Sequence, residues 1–80
     1  MARYAVKTEL SPEETIDEVV RFFEGAIGLT LEERSECCVY LTGGGGHVSV
    51  TATDTEGDTT AEIETREWDT QVREFMRRIG

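Results

Sequence analysis

The stretch Cys37-Cys38-Val39-Tyr40-Leu41-Thr42-Gly43-Gly44-Gly45-Gly46-His47-Val48-Ser49-Val50-Thr51-Ala52-Thr53 places two alternating runs on either side of four consecutive glycines. A connection of that length is of hairpin type, so residues 37–42 and 47–53 are expected to be antiparallel strands. If Thr42 pairs with His47 across the glycines, Leu41 faces Val48, Val39 faces Val50 and Cys37 faces Ala52, while Tyr40 meets Ser49 and Cys38 meets Thr51. Apolar meets apolar on every inward rung. A slip of one residue would carry the whole set to the opposite face, so the hydrophobic pattern specifies the register. With Thr55-Glu56-Gly57-Asp58 as the next turn, Ala52 faces Ala61, Val50 faces Ile63 and Val48 faces Thr65, and the outward rungs pair Thr53 with Thr60, Thr51 with Glu62, Ser49 with Glu64 and His47 with Arg66. The three strands form a meander with one apolar and one polar face.

Upstream, Tyr4, Val6, Thr8 and Leu10 alternate with Ala5, Lys7 and Glu9, the period of a half-buried strand. The pattern then changes abruptly. Ser11 is a suitable N-cap, Pro12 suits the first helical position, and Glu14 completes a capping box ahead of the stripe Ile16, Val19, Val20, Phe23, Ala26 and Ile27. Gly25 or Gly28 is placed to end this helix. Residues 29–36 read two ways: Leu29 and Leu31 alternate like a short strand, whereas Glu32-Glu33-Arg34-Ser35-Glu36 suits a turn or a sheet edge. At the end of the chain, Trp68, Val72, Phe75, Met76 and Ile79 stand at helical spacing over residues 68–79. The expected architecture is α+β: a two-layer sandwich with an antiparallel sheet of about four strands, two helices on one face, and the order β-α-β-β-β-α. Eighty residues make a single domain (1–80), near the size at which one core is only just sufficient, so oligomerisation is expected to matter.

Seventeen acidic residues against eight basic ones give a formal net charge of -9. Binding to a phosphate backbone or an anionic lipid surface draws on Lys and Arg, so nucleic acid and membrane are set aside as partners. Only residues 66–80 lean basic, with Arg66, Arg73, Arg77 and Arg78 against Glu67, Asp69 and Glu74. Cations in the last turns of a helix complement its dipole, which accounts for most of this bias without a partner. No apolar run approaches the roughly 18 residues of a membrane span, and residues 1–10 lack a signal-type apolar stretch, so a cytoplasmic location is expected.

The chemistry-bearing residues are few. Cys37 and Cys38 are adjacent, with Cα atoms about 3.8 Å apart where ordinary disulfides span about 4.4 to 6.8 Å, so they are expected to be reduced thiols, Cys37 buried and Cys38 outward. Neighbouring strand residues point to opposite faces, so Cys37, Cys38 and His47 do not converge as metal ligands, and no metal or cofactor is expected. The glycine run lacks the lysine and following helix of a phosphate loop. His47 and Ser49, with Glu64 and Tyr40 beside them, have the residue types of a nucleophilic site, but on an open sheet they stand parallel, with no pocket and no oxyanion donors. No catalytic residue is assigned.

The opening Tyr4-Ala5-Val6-Lys7-Thr8-Glu9-Leu10-Ser11-Pro12-Glu13-Glu14, a strand running into a capped helix, and the closing helix over residues 68–79 resemble a shortened helix-grip domain of the START and Bet v 1-like (SRPBCC) superfamily. That resemblance implies a lipid, polyketide or other apolar ligand held between sheet and final helix. Cys38, Tyr40, Ser49, Thr51 and Thr53 form a patch of few charges in a chain that is 31% charged, a composition suited to an interface. Two functions follow from these features. The first is a non-catalytic assembly or partner-binding module, oligomeric or bound to another protein through that patch. The alternative is a carrier of a small apolar ligand lined by Phe23, Trp68, Phe75 and Met76.

Overall fold

The computed structural model describes residues 1–80 and contains β1 (Ala2–Thr8), α1 (Pro12–Val20) continued by a π-helical segment (Arg21–Ile27), β2 (Thr30–Arg34), β3 (Cys38–Gly43), β4 (Gly46–Thr55), β5 (Asp58–Arg66) and α2 (Asp69–Ile79). The fold is α+β, with one antiparallel sheet in the order β1-β5-β4-β3-β2 and two helices. The sheet has five strands rather than about four, because residues 30–34 pair with β3. Their sequence is TLEER, and burial runs only from half-buried to exposed, so β2 is held by backbone pairing and carries no apolar stripe. A register shift between Leu31 and Glu33 marks a bulge in this edge strand.

The meander register is the expected one. Val39 pairs with Val50 and Leu41 with Val48, and on the other side of β4 Val50 pairs with Ile63 and Ala52 with Ala61. The loop is shorter than expected, since Gly43 pairs with Gly46 and leaves only Gly44 and Gly45 as the turn. Both have positive φ, at 59° and 81°, the backbone of a two-residue hairpin turn whose twist matches that of the strands. Gly46 is needed for a different reason: a Cβ there would stand 2.0 Å from the Arg66 carbonyl oxygen. β1 closes the other side of the sheet, Tyr4 opposite Ile63 and Val6 opposite Ala61.

Ser11 caps α1 as expected, accepting from the Glu14 N–H at 3.1 Å while Glu14 Oε1 accepts from the Ser11 N–H at 2.9 Å. Helical backbone runs past Gly25 and stops at Gly28, whose φ of 94° supplies the left-handed cap. The π segment over Arg21–Ile27 buries the consecutive residues Phe22 and Phe23. α1 and α2 lie on the same side of the sheet, and their Ile16, Val19, Phe22, Phe23, Val72 and Phe75 join the inward rungs in one core. Buried threonines add no unsatisfied groups: Thr65 Oγ1 donates to the His47 carbonyl at 2.8 Å and Thr15 Oγ1 to the Ser11 carbonyl at 2.9 Å.

α2 is fastened at its N-terminal end. Trp68 Nε1 donates to the Gly43 carbonyl at 2.9 Å, and its ring lies 2.8 Å from where a Cβ on Gly44 would stand. Tyr4 donates from its hydroxyl to Asp69 Oδ2 at 2.6 Å, tying the first turn of α2 to β1.

Two expectations about stability follow from this packing. Gly46→Ala should lower unfolding free energy by about 1 to 3 kcal/mol, because its neighbour is backbone and cannot rotate away, whereas Gly25→Ala, with open space at its Cβ position, should raise it by about 0.4 to 1 kcal/mol through the unfolded chain's entropy. Val50→Ala, between Val39 and Ile63, should cost about 1 to 3 kcal/mol from lost methyl groups and the space left behind. Urea melts of the three variants against the parent chain measure both.

Candidate functional site

With both helices on one side, the other face of the sheet is bare. Its outward rungs are Cys38 with Thr51, Tyr40 with Ser49, Thr42 with His47, Thr51 with Glu62, Ser49 with Glu64 and Thr53 with Thr60, continued on β1 by Arg3, Ala5 and Lys7. Tyr40, 39% exposed, is with Met1 one of the two large hydrophobic residues open to solvent. Thr51 and Thr53 are exposed, while Ser49 and Cys38 are half-buried between their neighbours. The face is gently hollowed: a recess of about 470 Å³ includes Arg3, Ala5, Ser49, Thr51, Glu62 and Glu64 in its lining. The five residues expected at an interface therefore share one continuous surface.

His47 does not address Ser49. Its Nε2 lies 3.7 Å from Glu64 Oε1, its ring centre stands 5.7 Å from that of Tyr40, and Glu64 is also engaged by Arg3 at 3.1 Å. The arrangement is a small surface network of charge and stacking, of the kind that orients side chains on an open sheet.

The cysteines depart from expectation. Cys37 and Cys38 are joined in a disulfide with a Cα separation of 3.7 Å, and Cys37 is exposed instead of buried. Strand alternation would separate the two sulfurs, but Cys37 sits in a bend just before β3 begins at Cys38, so its side chain is free of the pleat. The usual Cα window describes bridges between distant residues, whereas adjacent ones close a small ring at the ordinary spacing of consecutive Cα atoms. The backbone pairing survives there, since the Ala52 N–H donates to the Cys37 carbonyl at 2.7 Å.

The four residues expected to line a ligand site do not line a common cavity: Phe23 and Phe75 pack on each other with ring centres 5.6 Å apart, and Trp68 and Met76 lie against the same core. Phe23 is fully inside the core, Trp68 is bonded to the glycine turn, and Met76 is half-buried on α2; Phe75 alone reaches the principal cleft. That cleft, about 740 Å³, opens between the π segment and the end of α2, with Phe22, Phe75, Ile79 and Leu10 as apolar lining and Lys7, Arg21 and Arg78 among its charged residues. Arg78 lies over the Phe22 ring at 4.9 Å and pairs with Glu74 at 3.6 Å, so the basic end of α2 is engaged within the chain. Phe22 was missed because it lies off the regular helical stripe; the only signal was the doublet Phe22-Phe23 followed by Gly25.

No protein-family profile matches the chain, and no curated protein matches its sequence. No helix is long and apolar enough to cross a membrane.

One titrating contact is built into the fold. Asp69 accepts the Tyr4 hydroxyl proton and, with partial burial, holds that phenol above the ordinary tyrosine value, opposed by the nearby Arg73 guanidinium. The folded protein thus keeps this proton more tightly than the unfolded chain does. Its stabilising contribution should be complete below about pH 10 and lost as pH rises through the folded value. Thermal melts from neutral to strongly alkaline pH should show a steeper loss above about pH 10 in the parent than in Tyr4→Phe; parallel curves would contradict the linkage.

Proposed function

We propose that the chain is a small non-catalytic assembly module whose bare sheet face binds a second copy of itself. The observation that carries this reading is the charge of that face. On the outward rungs of β1, β5, β4 and β3 the charged residues are Arg3, Lys7 and Arg66 against Asp58, Glu62 and Glu64, in balance in a chain of net charge -9, with Glu32 and Glu33 of β2 at the margin beside Thr42 and Tyr40. Acidic copies repel each other through most of their surfaces, and this is where they can meet without doing so. At its centre stand Tyr40, Ser49, Thr51 and Thr53, uncharged side chains with one aromatic anchor among them.

Area sets the expected strength. Five strands about 4.8 Å apart, each about seven residues long, span roughly 500 Å² in plan, or roughly 1,000 Å² for a pair. That is the lower end of specific interfaces, so the association should be reversible and concentration-dependent. The reading takes the module to work in the cytoplasm, with neither nucleic acid nor membrane as partner, as its acidity favours.

A second reading, a carrier of a small apolar ligand related to the helix-grip (SRPBCC) superfamily, has the cleft of about 740 Å³ between the helices in its favour. Phe22 and Phe75 are already packed, at 8% and 1% exposure, so a ligand there would rest on their edges instead of entering between sheet and helix. Self-association through the sheet face is the reading we adopt.

Sedimentation velocity from micromolar to millimolar protein tests it. The parent should shift from monomer to dimer with concentration, and Tyr40→Glu and Thr51→Glu should each weaken association at least about tenfold, about 1.4 kcal/mol, with an unchanged melting temperature. A chain that stays monomeric to millimolar concentration, or a dimer indifferent to both substitutions, would overturn the reading.

A further inference from the structure

Both cysteines of the chain are spent in one bond between neighbours, Cys37 and Cys38. A disulfide ordinarily stabilises a fold by closing a loop and removing entropy from the unfolded chain, an effect that grows with the number of residues enclosed. A sequence separation of 1 encloses none. The neighbouring backbone has contacts that do not involve the sulfurs: the Ala52 N–H donates to the Cys37 carbonyl at 2.7 Å and the Ser35 N–H to the Cys38 carbonyl at 2.8 Å. A structural role of the usual kind is therefore absent, and what remains is the chemistry of the bond itself.

Access favours that chemistry. Cys37 lies exposed in the bend, while Cys38 is half-buried and helps line a recess of about 300 Å³ with Arg34, Ser35, Tyr40 and Ser49. Ser35 Oγ, which donates to the Cys38 carbonyl at 3.5 Å, stands 3.6 Å from Cys37 Sγ and can turn its hydroxyl proton to a thiolate forming there. We propose that Cys37 and Cys38 are a thiol–disulfide exchange site, cycled by low-molecular-weight thiols and their disulfides, with Cys37 Sγ as the sulfur that is attacked.

The cycle balances with two thiols. A thiolate RS⁻ attacks Cys37 Sγ, the bond to Cys38 breaks, and the electron pair leaves on Cys38 Sγ, which takes a proton from water. Cys37 is then a mixed disulfide with R. A second RS⁻ attacks the sulfur of R, RSSR departs, and Cys37 Sγ leaves as a thiolate stabilised by Ser35 until it is protonated. Two RSH are oxidised to RSSR while one protein disulfide is reduced to two thiols, and the reverse sequence restores the bond.

The test uses the full chain, without denaturant, in buffers of reduced and oxidised glutathione at varied ratio, followed by acid quench, alkylation and intact mass. Doubly alkylated and unalkylated protein should interconvert as the ratio changes. Cys38→Ser should accumulate a glutathione adduct on Cys37, and Cys37→Ser should react about tenfold more slowly at the less accessible Cys38. Two free thiols persisting in the most oxidising buffer, or a bond reducible only after unfolding, would overturn the site. Equal rates in the two single variants would overturn the choice of Cys37 as the attacked sulfur. Repeating the exchange at protein concentrations below and above the range in which the chain self-associates separates this inference from the proposed dimer, because the monomer should exchange on its own; exchange seen only in the associated form would overturn the site as a property of the single chain.

Discussion

The pairing of β3 with β4 is the constraint on which the other parts depend. It is set by a turn of only two residues, Gly44 and Gly45, closed by the Gly43–Gly46 rung. That closure sends Val39, Leu41, Val48 and Val50 inward together, and β5 extends the same choice through Ala61 and Ile63. The same turn holds the start of α2, because the Gly43 carbonyl accepts from Trp68 Nε1 and Gly44 leaves room for its ring. One hairpin thus fixes both the face that becomes core and the place where the second helix begins. A side chain at Gly44 would have to displace an indole as well as adopt positive φ, and the two demands are coupled through α2.

Placing both helices on one side follows from the single apolar face of that sheet, and it leaves the other face to water. The consequence for charge is uneven. Acidic residues gather on the helices, their connections and the β2 edge, including Glu13, Glu14, Asp17, Glu18, Glu24, Glu32, Glu33 and Glu36, while the central rungs of the bare face carry Ser, Thr, Tyr and a few compensated charges. The acid-rich surfaces and the least charged part of the bare face are thereby kept apart in a molecule too small to have many surfaces.

The parts of the fold legible in the sequence were those written in side-chain periodicity or cap chemistry. The rungs from Val39 to Ile63 could be read because each inward residue finds an apolar partner, and Ser11, Pro12 and Glu14 specify a helix start through their own hydrogen-bonding groups. β2 was ambiguous because its pairing is a backbone property, and its residues Glu32, Glu33 and Arg34 face solvent or ion partners; Arg34 binds Asp17 and Glu32 accepts from Thr42 at 2.7 Å. The π segment could not be read from a 3.6-residue period, and with it went the inward turn of Phe22. Trp68 was expected beside a groove from the helix-grip order of elements, yet its indole N–H found a carbonyl in the glycine turn, a partner distant in sequence. Of the candidate site, the sheet-face residues came together because they share one periodicity. The cysteine bond did not follow from it, because Cys37 lies outside the strand.

The two edges of the sheet bear on how copies of this chain can meet. β2 is short, bulged and charged, a combination that resists the addition of another strand. β1 is longer and unbulged, and pairing its full length with itself in antiparallel fashion would centre on Ala5 and set Arg3 of each copy directly opposite Lys7 of the other. Like charges on opposite residues are destabilising, so edge-to-edge growth is opposed at both ends by different means. The face is less opposed, since Arg3 is already paired with Glu64 at 3.1 Å and the rungs between β3 and β4 carry no carboxylate, lysine or arginine. Contact between sheets is therefore the arrangement that the distribution of charge leaves open, and Cys38, on the rung shared with Thr51, stands where that surface meets the exposed bend.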